Sequence, residues 1–290
     1  MAQICQTIEV LNLWYCNGDI TGLIELIKVQ QNLRSLFLHF KNVNDQCSQL
    51  SNIIETKASK LNKLIIKSVN SISPKFLSSL INLQYLELDN DDDEYVIYNQ
   101  IIDWDYYLSI ISFPNIQYLK IIHLPSFNDY LLIEKSRGNL IEINIRHRYK
   151  NIAYTEKLIN TIARCCPKIE RLTIDVEPEN LDGIKEILLN CSQLIEIDLS
   201  TKNDDQMICD RLLKIFIDVS PNNLYKFSLC DFWIFSVGGF NSFFENWKDK
   251  SPMEFNLYFG DETWFTKEYE MILRKYLANG IIEKTNYFDY

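Results

Sequence analysis

The sequence predicts an α/β solenoid, a coil of alternating strands and helices with a parallel sheet of about ten strands lining the concave side of a horseshoe and helices on the convex side. Three observations predict it. An aliphatic triad spaced apolar-x-x-apolar-x-apolar recurs about every 27 residues from Ile8 to Pro252. Segments of helical periodicity lie between the triads, among them Leu23/Ile24/Ile27 and Ile184/Ile187/Leu188. A hydrophobic content of 47% in 290 residues is enough to fill a core along the whole coil.

The clearest unit is Cys165-Cys166-Pro167-Lys168-Ile169-Glu170-Arg171-Leu172-Thr173-Ile174, where Ile169, Leu172 and Ile174 form the triad. Equivalent triads begin at Ile8, Leu33, Leu61, Leu83, Ile116, Leu140, Leu194 and Leu224, and a degenerate one has Pro252 in its first slot before Phe255 and Leu257. The last two members sit two apart, so on a strand they point to one side, inward, while the residues between them point out. Strands are therefore expected near 8–14, 33–39, 61–67, 83–89, 116–122, 140–146, 169–175, 194–200, 224–230 and 252–258. The period falls in the range of leucine-rich repeats, which stack because no single repeat buries its own apolar face. The chain is expected to form one such domain over 1–290.

Helix signals fit between the strands. Ser73-Pro74 reads as a cap followed by a first-turn proline, and Thr155 reads as the cap of a helix over Glu156 to Arg164. At the far end, an amphipathic run from Glu268 to Ala278, a stop at Asn279-Gly280 and an aromatic tail predict a cap over 266–290. The first triad leaves no room for a polar cap ahead of Ile8, so that edge is expected to be covered by a preceding segment or by a partner. The longest interval, Leu83 to Ile116, holds Asp91, Asp92, Asp93 and Glu94, read as a solvated acidic loop or as a rim contact for a basic partner.

The triads also fix which side chains the concave face should display. The candidate binding residues are Trp14, Phe37 and His39 in an aromatic first end, then Lys63, Lys67, Tyr85, Glu87, Tyr118, Lys120 and Arg146 in a middle of mixed charge. Arg171 follows in a last part that leans acidic. Aromatic anchors carry much of the energy of protein interfaces, and Tyr85 and Tyr118 occupy the same slot of neighbouring repeats.

Net charge of −10 and a pI near 4.9 disfavour nucleic acid and anionic membrane as partners. The first residues carry no secretory signal, and no apolar run reaches the roughly 18 residues of a membrane span. An intracellular protein, cytoplasmic or nuclear, is expected, and the eight cysteines read as buried packing residues rather than a disulfide framework. No CxxC, phosphate loop, GxGxxG, HExxH or GxSxG is present, and Asp103-Trp104-Asp105 is a weak metal signal. Gly238-Gly239 reads as a turn before an aromatic helix. Neither catalysis nor a metal or cofactor is expected.

Ile162-Ala163-Arg164-Cys165-Cys166-Pro167-Lys168-Ile169-Glu170-Arg171-Leu172-Thr173-Ile174 resembles the unit of cysteine-containing leucine-rich repeats. Leu188 to Leu194 is similar, and Leu11-Asn12-Leu13-Trp14-Tyr15-Cys16 fits the LxLxxC end of that strand. Such repeats look like those of F-box/leucine-rich-repeat proteins of fungal type. The resemblance implies a solenoid that binds a protein substrate on its concave face, with an F-box of roughly 40 residues binding the Skp adaptor of a cullin-RING ubiquitin ligase. No F-box helix trio precedes Ile8, so the adaptor is a partner only if an F-box lies upstream. Two other functions fit the repeat, a scaffold unrelated to ubiquitin and a small-GTPase regulator presenting an arginine such as Arg146.

Overall fold

A computed structural model describes residues 5–16, 20–40, 48–90, 104–149, 151–201, 209–259 and 265–288. The chain divides into two compact units, Met1–Leu140 and Ile141–Tyr290. The acidic residues Asp91, Asp92, Asp93 and Glu94, together with Asp103 and Cys47, lie outside the described residues.

The first unit runs β1 (Val10–Cys16), α1 (Thr21–Val29), β2 (Ser35–Phe40), α2 (Ser48–Lys57), β3 (Lys63–Lys67), β4 (Tyr85–Asp89), α3 (Trp104–Ile110), β5 (Tyr118–Ile122) and α4 (Tyr130–Glu134). Its strands are parallel and paired in chain order. The second and third triad members stand level from strand to strand: Leu11, Leu36, Leu64, Leu86 and Leu119 in one row, Leu13, Leu38, Ile66, Leu88 and Ile121 in the next. Away from the edge strand β1 these side chains are almost wholly buried. Between β3 and β4 a 3-10 helix, Pro74–Ser79, stands where other repeats have an α-helix, and it packs on both α2 and α3. Ser73 precedes it in extended conformation with Pro74 in the first turn, as read from the sequence, although the Ser73 side chain makes no capping bond.

The second unit runs β6 (Glu142–Arg146), α5 (Ile152–Cys165), β7 (Arg171–Asp175), α6 (Leu181–Asn190), β8 (Glu196–Thr201), α7 (Asp210–Val219), β9 (Lys226–Asp231), α8 (Val237–Trp247), β10 (Met253–Phe259), α9 (Lys267–Ala278) and β11 (Ile282–Lys284). Its strands are parallel and in chain order too, with Ile143, Leu172, Ile197, Phe227 and Phe255 level and each 0% exposed. Successive helices α5 to α9 pack on one another. Each unit is thus an α/β coil of the leucine-rich-repeat type.

Several details depart from the sequence reading. From β2 to β9 each strand begins two residues after its triad does; first members such as Leu33, Leu61, Leu140 and Ile169 sit in the lead-in turn, yet are buried. The cap segment adds β11 to the sheet, so the described residues hold eleven strands. Ile282 pairs with Met253 once Gly280, at φ +71, has reversed the chain after α9. The cap of α5 is Asn151, whose side chain accepts from Tyr154 N–H at 3.1 Å; Thr155 lies inside the helix and is buried. Gly238 and Gly239 form the first turn of α8, not a preceding turn. A Cβ on Gly239 would stand 2.3 Å from Asp210 Cγ, and that carboxylate accepts from Ser236 N–H at 2.8 Å, while Ser236 caps α8.

Two kinds of side-chain to carbonyl link recur between neighbouring repeats. The asparagine ahead of the triad donates its side-chain N–H to a carbonyl of the previous lead-in: Asn82 to Ser59 (2.9 Å), Asn115 to Ile81 (3.2 Å) and Asn139 to Pro114 (3.1 Å). Lysines reach back to the open carbonyls at the end of the previous helix. Lys57 bonds Lys28 O at 2.7 Å and Gln30 O at 2.8 Å, Lys135 bonds Ser109 O at 2.5 Å, and Lys250 bonds Ile217 O at 3.1 Å. Burial holds the Lys57 and Lys250 ammonium groups below the usual lysine range.

The described cysteines are all free. Cys166 and Cys191 are 0% exposed, and the Cys191 thiol donates to Cys166 O at 3.4 Å, joining adjacent repeats where α5 and α6 end. Four cysteines expected to be buried are not: Cys16, Cys165 and Cys230 are partly exposed and Cys5 is exposed. Burial pushes the Cys166 thiol up and raises Cys191 and Cys209 to about 11, so these are packing groups rather than nucleophiles.

Leu172→Ala should destabilise the fold by about 2–5 kcal/mol in urea denaturation, because the site is fully enclosed. The thiols give a pH signature. Their folded values lie above the ordinary 9.0, so their contribution is complete below pH 9 and is lost as pH rises through about 11. Urea stability should fall across that window and fall less steeply in Cys191→Ala. At pH 8, mass spectrometry after iodoacetamide treatment should find exposed Cys5 alkylated well before Cys166, Cys191 or Cys209.

Candidate functional site

Side chains alternate across a strand, so the residues flanking the buried triad members form the sheet face turned away from the helices. In the first unit this face has registered rows. Val10, Ser35, Lys63, Tyr85 and Tyr118 form one, and Asn12, Phe37, Ile65, Glu87 and Lys120 another. His39, Lys67, Asp89 and Ile122 form a third.

The aromatic end is built by an irregularity. The β1–β2 register shifts between Leu13 and Cys16, and Tyr15 adopts φ 56, which costs an ordinary residue about 1–2 kcal/mol. Together these lay two large rings over β2. Trp14 lies 4.4 Å from Phe37 and 5.8 Å from His39 between ring centroids, and Tyr15 lies 5.0 Å from His39. Trp14 is 61% and Tyr15 57% exposed. Phe37 and His39, expected to be displayed, are covered by those rings and buried. They support the contact surface rather than form it.

Next along the face, Tyr85 and Tyr118 stack at 5.9 Å and 29°, half-buried, and the Lys63 ammonium sits 4.3 Å above the Tyr85 ring. Glu87 is another correction. Tyr85 Oη donates to it at 3.1 Å and Lys120 Nζ at 3.0 Å, leaving it buried. Lys67 pairs with Asp89 at 3.1 Å in the same way, the carboxylate beneath and the ammonium toward solvent.

The equivalent face of the second unit is a set of closed ion pairs. In register across β6 to β10 stand Glu142, Arg171, Glu196, Lys226 and Glu254, alternating in sign. Arg171 bonds Glu142 at 2.8 Å, and Lys226 reaches Glu196 at 3.1 Å and Glu254 at 3.7 Å. Arg146 lies between Asp175 at 2.9 Å and Asp198 at 2.7 Å. Burial opposes its charge, but the two carboxylates outweigh it and hold the guanidinium above the usual arginine range. Beside it partial burial, with the Asp198 carboxylate facing it, pushes the half-buried Cys230 thiol up to about 12. Arg146 and Arg171 are therefore spent within the unit.

No group of three or more metal-ligating side chains converges among the described residues, and Asp105 accepts a hydrogen bond from Ser126 Oγ at 2.5 Å. No described helix is long and apolar enough to cross a membrane. The arrangement presents rings and ammonium groups on a rigid parallel sheet, which is equipment for binding. Three features of it had sequence signals that the triad rhythm overlooked. They are the asparagine preceding many triads, the alternation of charge in the slot after the lead-in turn, and the Trp-Tyr pair at a strand end.

No family model matches the chain, and no curated protein does. Among solved structures it is similar to a Bacteroides fragilis protein determined as a Northeast Structural Genomics Consortium target, with 15% sequence identity and a TM-score of 0.50 over 84% of this chain and 73% of that one. A likeness at that identity concerns the fold.

Proposed function

We propose that this chain is a protein-recognition solenoid that acts inside the cell and binds its partner through the helix-free face of its first unit. We propose further that it is the substrate-binding part of an F-box type receptor of a cullin-RING ubiquitin ligase. One observation carries the recognition reading: Trp14 and Tyr15 stand more than half exposed on a rigid base of Phe37 and His39, on the sheet that also carries the Tyr85–Tyr118 stack. Large rings left facing water are unfavourable unless a partner covers them, and they are the residues from which interface hot spots are built.

The ligase reading rests on the cysteine-containing repeat. The Cys166–Cys191 contact makes these residues a spacer between neighbouring repeats, which fits a role in building the solenoid rather than in chemistry. A GTPase regulator is disfavoured by Arg146, because the residue it would present to a nucleotide is held by Asp175 and Asp198.

Replacing Tyr85 and Tyr118 together with alanine should weaken pull-down of the native partner by tenfold or more while the circular dichroism spectrum and melting temperature stay close to wild type. Normal binding by the double variant would remove this face from the site. Association of the full-length protein with the Skp adaptor on co-purification is expected from the ligase reading, and absence of association would leave a scaffold without a ubiquitin link.

A further inference from the structure

We propose that the partner of the first unit's face is an extended acidic segment carrying an aromatic or aliphatic side chain. The proposal deepens the recognition reading and rests on it. Its basis is how charge is layered on this face. Both carboxylates lie beneath: the side chains of Glu87 and Asp89 are 8% and 9% exposed, under Lys120 and Lys67, whose own side chains are 36% and 30% exposed. A neighbour approaching from solvent meets ammonium groups.

Lys63 adds a charge of a different kind. Among the described residues it has no acidic partner, and its ammonium is held over the Tyr85 ring, which leaves its outer side for an anion. The chain as a whole carries −10, so a face whose outermost charges among the described residues are Lys63, Lys67 and Lys120 runs against the protein's average. Long-range repulsion of acidic molecules by the rest of the surface makes this face the place where one gains from binding.

Geometry gives the length and order of the ligand. Trp14 is on β1, Lys63 and Lys67 on β3, Tyr85 on β4, and Tyr118 and Lys120 on β5. Four strand spacings of about 4.8 Å separate β1 from β5, roughly 19 Å, which about six residues of extended chain would span. A segment crossing the strands would set an apolar side chain against the Trp14 and Tyr15 rings and its carboxylates over the lysines and the tyrosine stack.

The test is panning of a random nine-residue peptide library on the immobilised full chain, with counter-selection on the Tyr85→Ala/Tyr118→Ala protein. The enriched peptides are then measured by fluorescence anisotropy. Enrichment of Asp or Glu together with an aromatic or aliphatic residue is expected. So is a loss of at least tenfold in affinity for Lys63→Glu, a substitution that removes no ion pair among the described residues, and a loss of similar size on going from 50 to 300 mM salt. Peptides that depend on the tyrosines but are neutral or basic, or are indifferent to Lys63→Glu, would overturn the acidic partner and leave the recognition reading standing. Finding no peptide that depends on the tyrosines would overturn both.

Discussion

Everything in this protein depends on level stacking of apolar side chains between neighbouring parallel strands. One strand and one helix cannot bury the face they share, so the stabilising unit is the contact between repeats rather than the repeat itself. The row Ile143, Leu172, Ile197, Phe227 and Phe255 makes this concrete. Each member is enclosed only because its neighbours stand at the same height, and a shift by one residue would turn all of them to solvent. The asparagine and lysine links between repeats are the polar counterpart, because they satisfy carbonyls that stacking would otherwise bury without partners.

The face turned away from the helices inherits its geometry from that stacking. The core fixes the height of Leu86 and Leu119, and so Tyr85 and Tyr118 must meet face to face, and Glu87 must lie opposite Lys120. The two units use the same scaffold differently. In the first, rings and ammonium groups are outermost; in the second, ion pairs close on one another and Arg146 is enclosed by acids. A face with rings and ammonium groups outermost and a face of closed ion pairs therefore differ only in the residues at equivalent slots.

The repeat period and strand register were legible because the triad is a local pattern that burial imposes at every turn. Helix positions at Leu23 to Ile27 and Ile184 to Leu188 followed from the same cause. What the rhythm did not carry was depth. It placed Phe37, His39 and Glu87 on the right face but said nothing of what lay over them, since Trp14, Tyr15 and Lys120 come from other strands. The cap of α5 is not decided by residue type, because Asn151 and Thr155 are both capable caps and Asn151 is the one with extended backbone ahead of the helix. The eleventh strand was hidden in a segment with no triad at all.

The alternation of Glu142, Arg171, Glu196, Lys226 and Glu254 bears on how such a chain avoids misassembly. Repeats that look alike to the hydrophobic effect can pair out of order, leaving one looped out or exchanged with another molecule. With signs alternating, every correct neighbour attracts and every repeat two away repels, glutamate meeting glutamate and arginine meeting lysine. A row of ordinary surface charges thus acts as a parity check on repeat order, reading odd from even where the apolar core reads only presence.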